Sequence, residues 1–450
     1  MRIVFVTAYP PSRMHPRAYG FVTSLARRHD LTAICLCHTP ADIRDVALLR
    51  AGGVQVMPVF EEASVAAARS AGALLGERSL QVAYDDAPRL REAVRAEIAR
   101  GGAGLVHVEH VRAASAALDL PVPVIWDTAE CTSLLCRLQH ESGTQRRVRA
   151  TSSLEAPRVR GYERQLLQSF PYILTSTERD RIALIGAERF PAATDTTRDA
   201  ARDTERDTTR ARPPEGNETL TLAALAPRTH PTMPRVLPTG VDLEYFTAQP
   251  RRRHANRLVF SGNLRAPANI AAAEHLLREI LPRVWAERPD VRVTLAGANP
   301  PRHLTAYASD PRVTVTGTVD DLRPYVAGAT VAVSPMTYSA GIQNGILEAM
   351  ALGTPVVATE AAVSGLAAIP GRDFLVAGAT ERFAQLLLRL LDDDELWRSL
   401  SRSGRAYVER QHAWPRLVRQ LETIYQEATG FNFCLASAGV PVVSPRAATM

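Results

Sequence analysis

A chain of 450 residues is too long for one hydrophobic core, so two domains of roughly 150 to 200 residues each are expected. With 46% hydrophobic and 22% charged residues its composition is that of an ordinary globular protein, which excludes a fibrous or wholly disordered chain. The formal net charge of +6 comes mostly from Arg and suits anionic ligands, although a high-GC genome would give the same bias.

Five scattered cysteines (Cys35, Cys37, Cys131, Cys136, Cys434) lack CxxC or His pairing, so neither a disulfide framework nor a zinc site is indicated, and a reducing cytoplasm fits. The apolar run in MRIVFVTAYPP is too short for a signal peptide, and no stretch approaches the roughly 20 apolar residues of a spanning helix. Any membrane contact is expected to be peripheral.

Ile3 to Thr7 reads as a buried strand, Tyr9-Pro10-Pro11 as a turn, and the spacing of Phe21 and Leu25 as a helix. Leu31 to Leu36 and Val54 to Val59 are further strands, the opening of a doubly wound domain. The loop PPSRMHPRAYG stands where a dinucleotide-binding fold places its glycines. It contains no GxGxxG, and Arg13, Met14 and Arg17 would keep a pyrophosphate from the backbone, which argues against a nicotinamide-dependent dehydrogenase.

Leu105 to Val108 is the next strand, with Glu109, His110 and Arg112 at its carboxyl end. Polar residues there point into the crevice of a parallel sheet, where an imidazole or carboxylate can handle protons. A histidine capping the following helix is the alternative. Val122 to Trp126 is another strand, with Asp127 and Glu130 just beyond it, and Asp127 either caps a helix or faces the crevice. Leu154 to Phe170 reads as a long polar helix and Tyr172 to Ser176 as a strand, after which Glu178 and Asp180 open another helix.

Thr194 to Asn217 is built almost entirely of Thr, Asp, Arg, Glu, Ala and Pro and cannot bury a core, so a disordered insertion is expected over 191–233. Order resumes at Arg235 and runs through PTGVDLEYF to Phe246. The basic PRRRHANR, 250–257, reads as a linker between domains.

Leu258 to Ser261 starts the second domain, followed by Gly262-Asn263, where a residue without a side chain lets a ligand approach the backbone. Val291 to Ala296 and Val313 to Thr316 are strands, and Asp321 to Tyr325 begins a helix. The repeated units predict a right-handed, mostly parallel sheet with helices on both faces.

The stretch TVAVSPMTYSAGIQNGILEAMALGTPVVAT, Thr330 to Thr359, gives strand (Val331 to Val333), turn (Ser339-Ala340-Gly341), helix (Ile342 to Leu352, stopping at Gly353) and strand (Pro355 to Ala358). The first turn of such a helix offers unpaired amides to an anion, so Gly341, Ile342, Gln343 and Asn344 are expected to face phosphate. Glu348, one turn on, is placed to reach vicinal hydroxyls, or else lies on the solvated face of a structural α/β unit. Beyond it lie a strand at Phe374 to Val376, helices at Thr380 to Leu391, Asp394 to Arg410 and Trp414 to Ala428, and a tail without helical period.

The run GIQNGILEAMALGTPVVAT, with SPMTYSA before it, resembles the donor-binding segment of family-4 glycosyltransferases of the GT-B fold. It is most similar to a subgroup of bacterial exopolysaccharide sugar transferases carrying GIQNKxLEAMAxGxPVV. The resemblance implies two Rossmann-like doubly wound α/β domains facing each other across a cleft: an acceptor domain at 1–190 and 234–249, a donor domain at 258–412, a terminal crossover helix at 413–429 and a disordered tail at 430–450. It implies transfer of a sugar from a nucleotide diphosphate sugar to a glycan or lipid-linked acceptor, with retention of configuration, without a metal or other cofactor and without a nucleic-acid partner, in the cytoplasm or at the inner membrane face.

For residues, the resemblance places donor ribose on Glu348 and diphosphate on the amides of Gly341 to Asn344, with Gly262, Asn263 and Arg265 beside the donor. PTGVDLEYF resembles the family's PNGVDxxxF, whose glycine, Gly240 here, supplies a turn near the donor. On the first domain it places Arg13, Arg17, Glu109 and Asp127 toward the acceptor. His110 becomes the contact to the transferring sugar, with His107 and Glu109 as alternative holders of that register. Two departures stand out: the family's second Glu falls on Ala340 and the subgroup's Lys on Gly345. They leave open a binding scaffold with weakened catalysis, or a nucleotide-sugar epimerase of like architecture.

Overall fold

The computed structural model describes residues 1–186, 233–248 and 256–430. The expectations placed on the low-complexity insertion, the consecutive arginines of the linker and the tail lie outside the described residues.

Two parallel sheets organise the chain. The first comprises β1 (Arg2–Thr7), β2 (Asp30–Cys37), β3 (Gln55–Phe60), β4 (Leu105–Glu109), β5 (Val124–Asp127), β6 (Tyr172–Thr175) and β7 (Arg235–Val236), in the order β3-β2-β1-β4-β5-β6-β7. The second comprises β8 (Arg257–Ser261), β9 (Arg292–Ala296), β10 (Val313–Val315), β11 (Val331–Ser334), β12 (Val356–Ala358) and β13 (Leu375–Val376), in the order β10-β9-β8-β11-β12-β13. Each order reverses direction once, between β1 and β4 and between β8 and β11. At such a switch point the loops leave to opposite faces and open a crevice.

Both faces of the first sheet are covered, which is why its strands read as continuous apolar runs. Along β1 the side chains alternate: Val4 and Val6 enter one core, Ile3 and Phe5 the other. The second of these cores is completed from far along the chain. Trp414, Leu417, Leu421 and Tyr425 of the terminal helix Trp414–Thr429 pack into it beside Phe21 and Leu25 of the helix Pro16–Ala26. The terminal helix thus follows the second domain in sequence and belongs to the first in packing.

Trp414 also explains two glycines. A Cβ on Gly20 would stand 2.0 Å from the Trp414 ring and one on Gly240 would stand 2.6 Å from it, so the indole is clasped between two bare backbones. Gly240 was expected to supply a turn near a ligand; its first constraint is this close approach.

Three expected helices shift their starts, that of Asp321 to Tyr325 by two residues to Arg323. The long helix of the first domain runs Arg146–Ser169, a further two turns toward the N-terminus, with Pro157 inside it. The helix expected from Ile342 begins at Asn344 and runs to Ala351, because Gly341 is left-handed (φ +66°) and Gln343 is extended (φ −80°, ψ 99°). No helix among the described residues is long and apolar enough to cross a membrane.

Candidate active site

The carboxyl ends of the two sheets face each other across a cleft. One pocket in it joins three parts of the chain: Arg13, Pro16 and Tyr19 from the first domain, Gly240, Val241, Asp242 and Phe246 after β7, and Asn344, Leu347 and Glu348 of the helix Asn344–Ala351, with Trp414 as part of the wall. Asn344 and Glu348 are four residues apart and so lie on one face of that helix. Asn344 Oδ1 is buried without a hydrogen-bond partner. Burial pushes the Glu348 carboxyl up to about 7, against a smaller opposing pull from the Arg13 charge. An orphaned acceptor and a destabilised carboxylate in one pocket are groups awaiting a partner, since buried polar atoms are otherwise paired.

Arg13 is exposed and held over the Tyr245 ring at 3.5 Å from its centroid, with Asp242 Oδ2 at 3.7 Å. Arg323 of the second domain stacks on the same ring at 3.8 Å, so Tyr245 links a cation from each domain. Sequence reasoning passed over Tyr245, because nothing in PTGVDLEYF announces that arginines from two distant segments will flank it.

The start of the helix Asn344–Ala351 carries no side-chain cap. Of the amides expected to face phosphate, that of Gly341 is already committed: it donates to Oδ2 of Asp180 in the first domain at 3.2 Å. Ile342 and Gln343 belong to the loop rather than the helix, and Gln343 Nε2 donates to Ser339 Oγ at 2.7 Å, fixing the loop's shape. Gly345 sits so close to β8 that a Cβ there would lie 2.9 Å from the Ser261 carbonyl oxygen. A lysine at this position has no room in this arrangement. Ala340 packs into the core of the first domain.

Gly262 also faces a crowded neighbour, with a Cβ there 3.0 Å from Asn269 Nδ2. Asn263 is exposed and turns the loop, its Oδ1 accepting from the Arg265 amide at 3.1 Å and its carbonyl from Asn269 Nδ2 at 2.9 Å. Arg265 is exposed and lies outside the Glu348 pocket.

The first-domain residues divide. His107 is fully buried, pairs through Nδ1 with the Tyr425 hydroxyl at 2.7 Å and stacks on Phe5, which makes it a structural tie to the terminal helix. Asp127 and Arg17, expected to face an acceptor, are instead buried together: Arg17 Nε donates to Asp127 Oδ2 at 2.8 Å, and its Nη1 donates to the Leu237 carbonyl at 2.8 Å. Burial opposes the Asp127 charge, yet Arg17 and His107 outweigh it and hold the carboxyl down to about 2. These two residues form a buried ion pair between the helix Pro16–Ala26 and the end of β5, although Arg17 Nη2 is left buried without a hydrogen-bond partner.

Glu109 is 2% exposed, its Oε2 without a partner, and burial together with the Asp127 charge pushes it up to about 8. That depth takes it out of reach of a bulky acceptor. His110 is half-buried in a left-handed conformation (φ +74°), its amide donating to the Asp127 carbonyl at 2.7 Å. Burial and the neighbouring Arg112 keep its imidazole neutral well below the usual range. A non-glycine residue held at positive φ is uncommon and concentrates at functional sites. Among the described residues no three His, Cys, Asp or Glu side chains gather as a metal-ligand set.

The stretch 255–393 matches the family model of glycosyl transferases group 1. No curated protein matches the chain. Among solved structures, sucrose-phosphate synthase from Thermosynechococcus elongatus aligns with TM-score 0.65 and 14% identity over 98% of this chain and 100% of that one. The Anabaena protein Alr3699/HepE in complex with UDP-glucose aligns with TM-score 0.63 and 13% identity over 95% and 100%. A glycosyltransferase from Rickettsia africae gives TM-score 0.61 and 11% identity over 96% and 99%. The chain has the GT-B fold: two Rossmann-like α/β domains with a central cleft.

Proposed function

We propose that this protein is a glycosyltransferase that moves a sugar from a nucleotide diphosphate sugar to a glycan or lipid-linked acceptor, in the synthesis of a cell-surface polysaccharide in the cytoplasm. The observation that carries this reading is the pair Asn344 and Glu348: a partnerless buried acceptor and a carboxyl pushed up to about 7, side by side on the helix that borders the cleft. Vicinal hydroxyls of a ribose donate to a carboxylate and would satisfy Glu348. The match of 255–393 to group 1 glycosyl transferases and the UDP-glucose bound by Alr3699/HepE support a nucleotide sugar as the ligand.

In this reading the diphosphate lies at the uncapped start of the helix Asn344–Ala351, where aligned peptide dipoles stabilise the charge that builds on the leaving group. Gly341 is not among its donors. Arg13 lines the pocket as a cation from the first domain, and His110 faces the transferring sugar as a neutral imidazole. Retention and metal independence are carried by the resemblance of GIQNGILEAMALGTPVVAT. The experiment is release of nucleoside diphosphate from the sugar nucleotide that most raises the melting temperature, in wild type and Glu348→Ala. Release that survives Glu348→Ala unchanged overturns the assignment.

A second reading has one observation in its favour: with Ala340 packed into the first domain and Gly345 pressed on Ser261, the segment lacks an acidic and a basic side chain beside the diphosphate. A scaffold that binds nucleotide sugar without turnover would show stabilisation and no release.

A further inference from the structure

A knob of leucines stands on the surface of the first domain, outside the Glu348 pocket. Leu75 is 96% exposed and Leu74 53%, both in the short 3-10 turn Ala73–Leu75, and Leu154 on the helix Arg146–Ser169 is 40% exposed. The turn is tied to that helix: Arg158 Nη1 and Nη2 donate to the carbonyls of Ala73 and Leu74 at 3.4 and 3.3 Å, and Glu155 accepts from the Leu80 amide at 2.8 Å. The leucines are thus presented to water by a fixed backbone, and an apolar patch held in the open in this way marks an interaction surface.

Cations flank it. Arg147, Thr151, Leu154 and Arg158 follow the spacing of one helix face, and Arg146 and Arg149 are exposed beside Arg147. Among the described residues none of these four arginines has an ion-pair partner. Three of them occupy the first four positions of the helix Arg146–Ser169, where there is no acidic residue and no side-chain cap, so their charges sit at the positive end of the helix dipole. That placement is unfavourable until an anion covers it. Glu77 is exposed beside the leucines and Arg78 is paired with Asp86, so the positive excess comes from the helix.

We propose that this face docks on an anionic lipid bilayer, with Leu74, Leu75 and Leu154 entering the headgroup layer and Arg146, Arg147, Arg149 and Arg158 meeting lipid phosphates. Exposed leucines alone fit any apolar partner; four cations around them fit a surface that offers apolar depth and dense negative charge together. The docking would bring the protein to a lipid-linked acceptor, and it rests on the transferase reading only for that purpose, since lipid binding is measured without donor or turnover.

The test is cosedimentation of the full chain with vesicles of phosphatidylcholine alone and of phosphatidylcholine mixed with phosphatidylglycerol. Wild type should bind the mixed vesicles about tenfold more tightly, with a preference that fades at high salt. Leu74→Ser/Leu75→Ser should lose about tenfold of the binding to mixed vesicles, and Arg146→Gln/Arg147→Gln should lose most of the preference for phosphatidylglycerol. All four side chains are exposed, so both variants should melt with wild type. Wild type that stays in the supernatant with both vesicles overturns the proposal, as does a leucine variant that binds like wild type. A leucine variant that instead converts a wild-type dimer to monomer overturns it in favour of a second copy of the chain. Release of nucleoside diphosphate from the same preparations reports separately on the transferase reading.

Discussion

The amide nitrogen of Gly341 lies 3.2 Å from Oδ2 of Asp180, so the loop leading into the second domain's helix Asn344–Ala351 is hydrogen-bonded to the first domain. Oδ1 of the same carboxylate accepts from the Cys131 amide at 3.0 Å, and the Thr177 hydroxyl donates to Oδ2. Asp180→Ala leaves two amides unpaired in a buried seam and should cost about 2–5 kcal/mol. Melting temperature should fall, and exchange of the Gly341 amide should accelerate in native-state hydrogen exchange. An unchanged exchange rate would show that the seam is not held by this carboxylate.

Glu348 should reveal its burial through pH. Its carboxyl titrates at about 7 in the folded chain against an ordinary value of 4.5. As pH rises between those values the unfolded chain gives up its proton first, so wild-type stability is lost across that window and stays flat above it. Glu348→Gln has no such loss. Equal melting is expected at pH 4, and a variant more stable by about 1–3 kcal/mol at pH 8. A variant less stable at pH 8 would mean that the carboxylate has a structural partner.

Asp127 predicts the opposite dependence. Held down to about 2 against an ordinary 3.8, it contributes stability that is present above pH 4 and lost as pH falls toward 2. Asp127→Asn strands the Arg17 charge in the core and should destabilise by about 3–5 kcal/mol at neutral pH. Urea unfolding measures it, and a loss below 1 kcal/mol would return Asp127 to the list of ligand contacts.

Trp414 joins the terminal helix to the first domain. Trp414→Ala should cost about 3–5 kcal/mol and free that helix, seen as protease cleavage between residues 411 and 430. Gly240→Ala, which drives a methyl into the ring, should produce the same cleavage with Trp414 intact.

Much of this molecule was legible in the sequence because its information is local. Apolar runs of four to six residues followed by turns identify strands buried on both faces, and GIQNGILEAMALGTPVVAT marks a helix start with Glu348 one turn in. The organisation into two parallel sheets follows from that alternation. What the chain hides is which polar residues are already taken. Arg17 and Asp127 read as cleft residues, yet 110 positions apart they neutralise each other under it. His107 and His110 are indistinguishable in VHVEH, and Tyr425, 318 residues downstream of His107, decides between them. Leu75 and Leu154 read as unrelated until folding ties the turn Ala73–Leu75 to the helix that carries Leu154. Periodicity encodes what each residue does with its neighbours in sequence. Desolvation and pairing depend on neighbours in space, and only the closed tertiary structure assigns those.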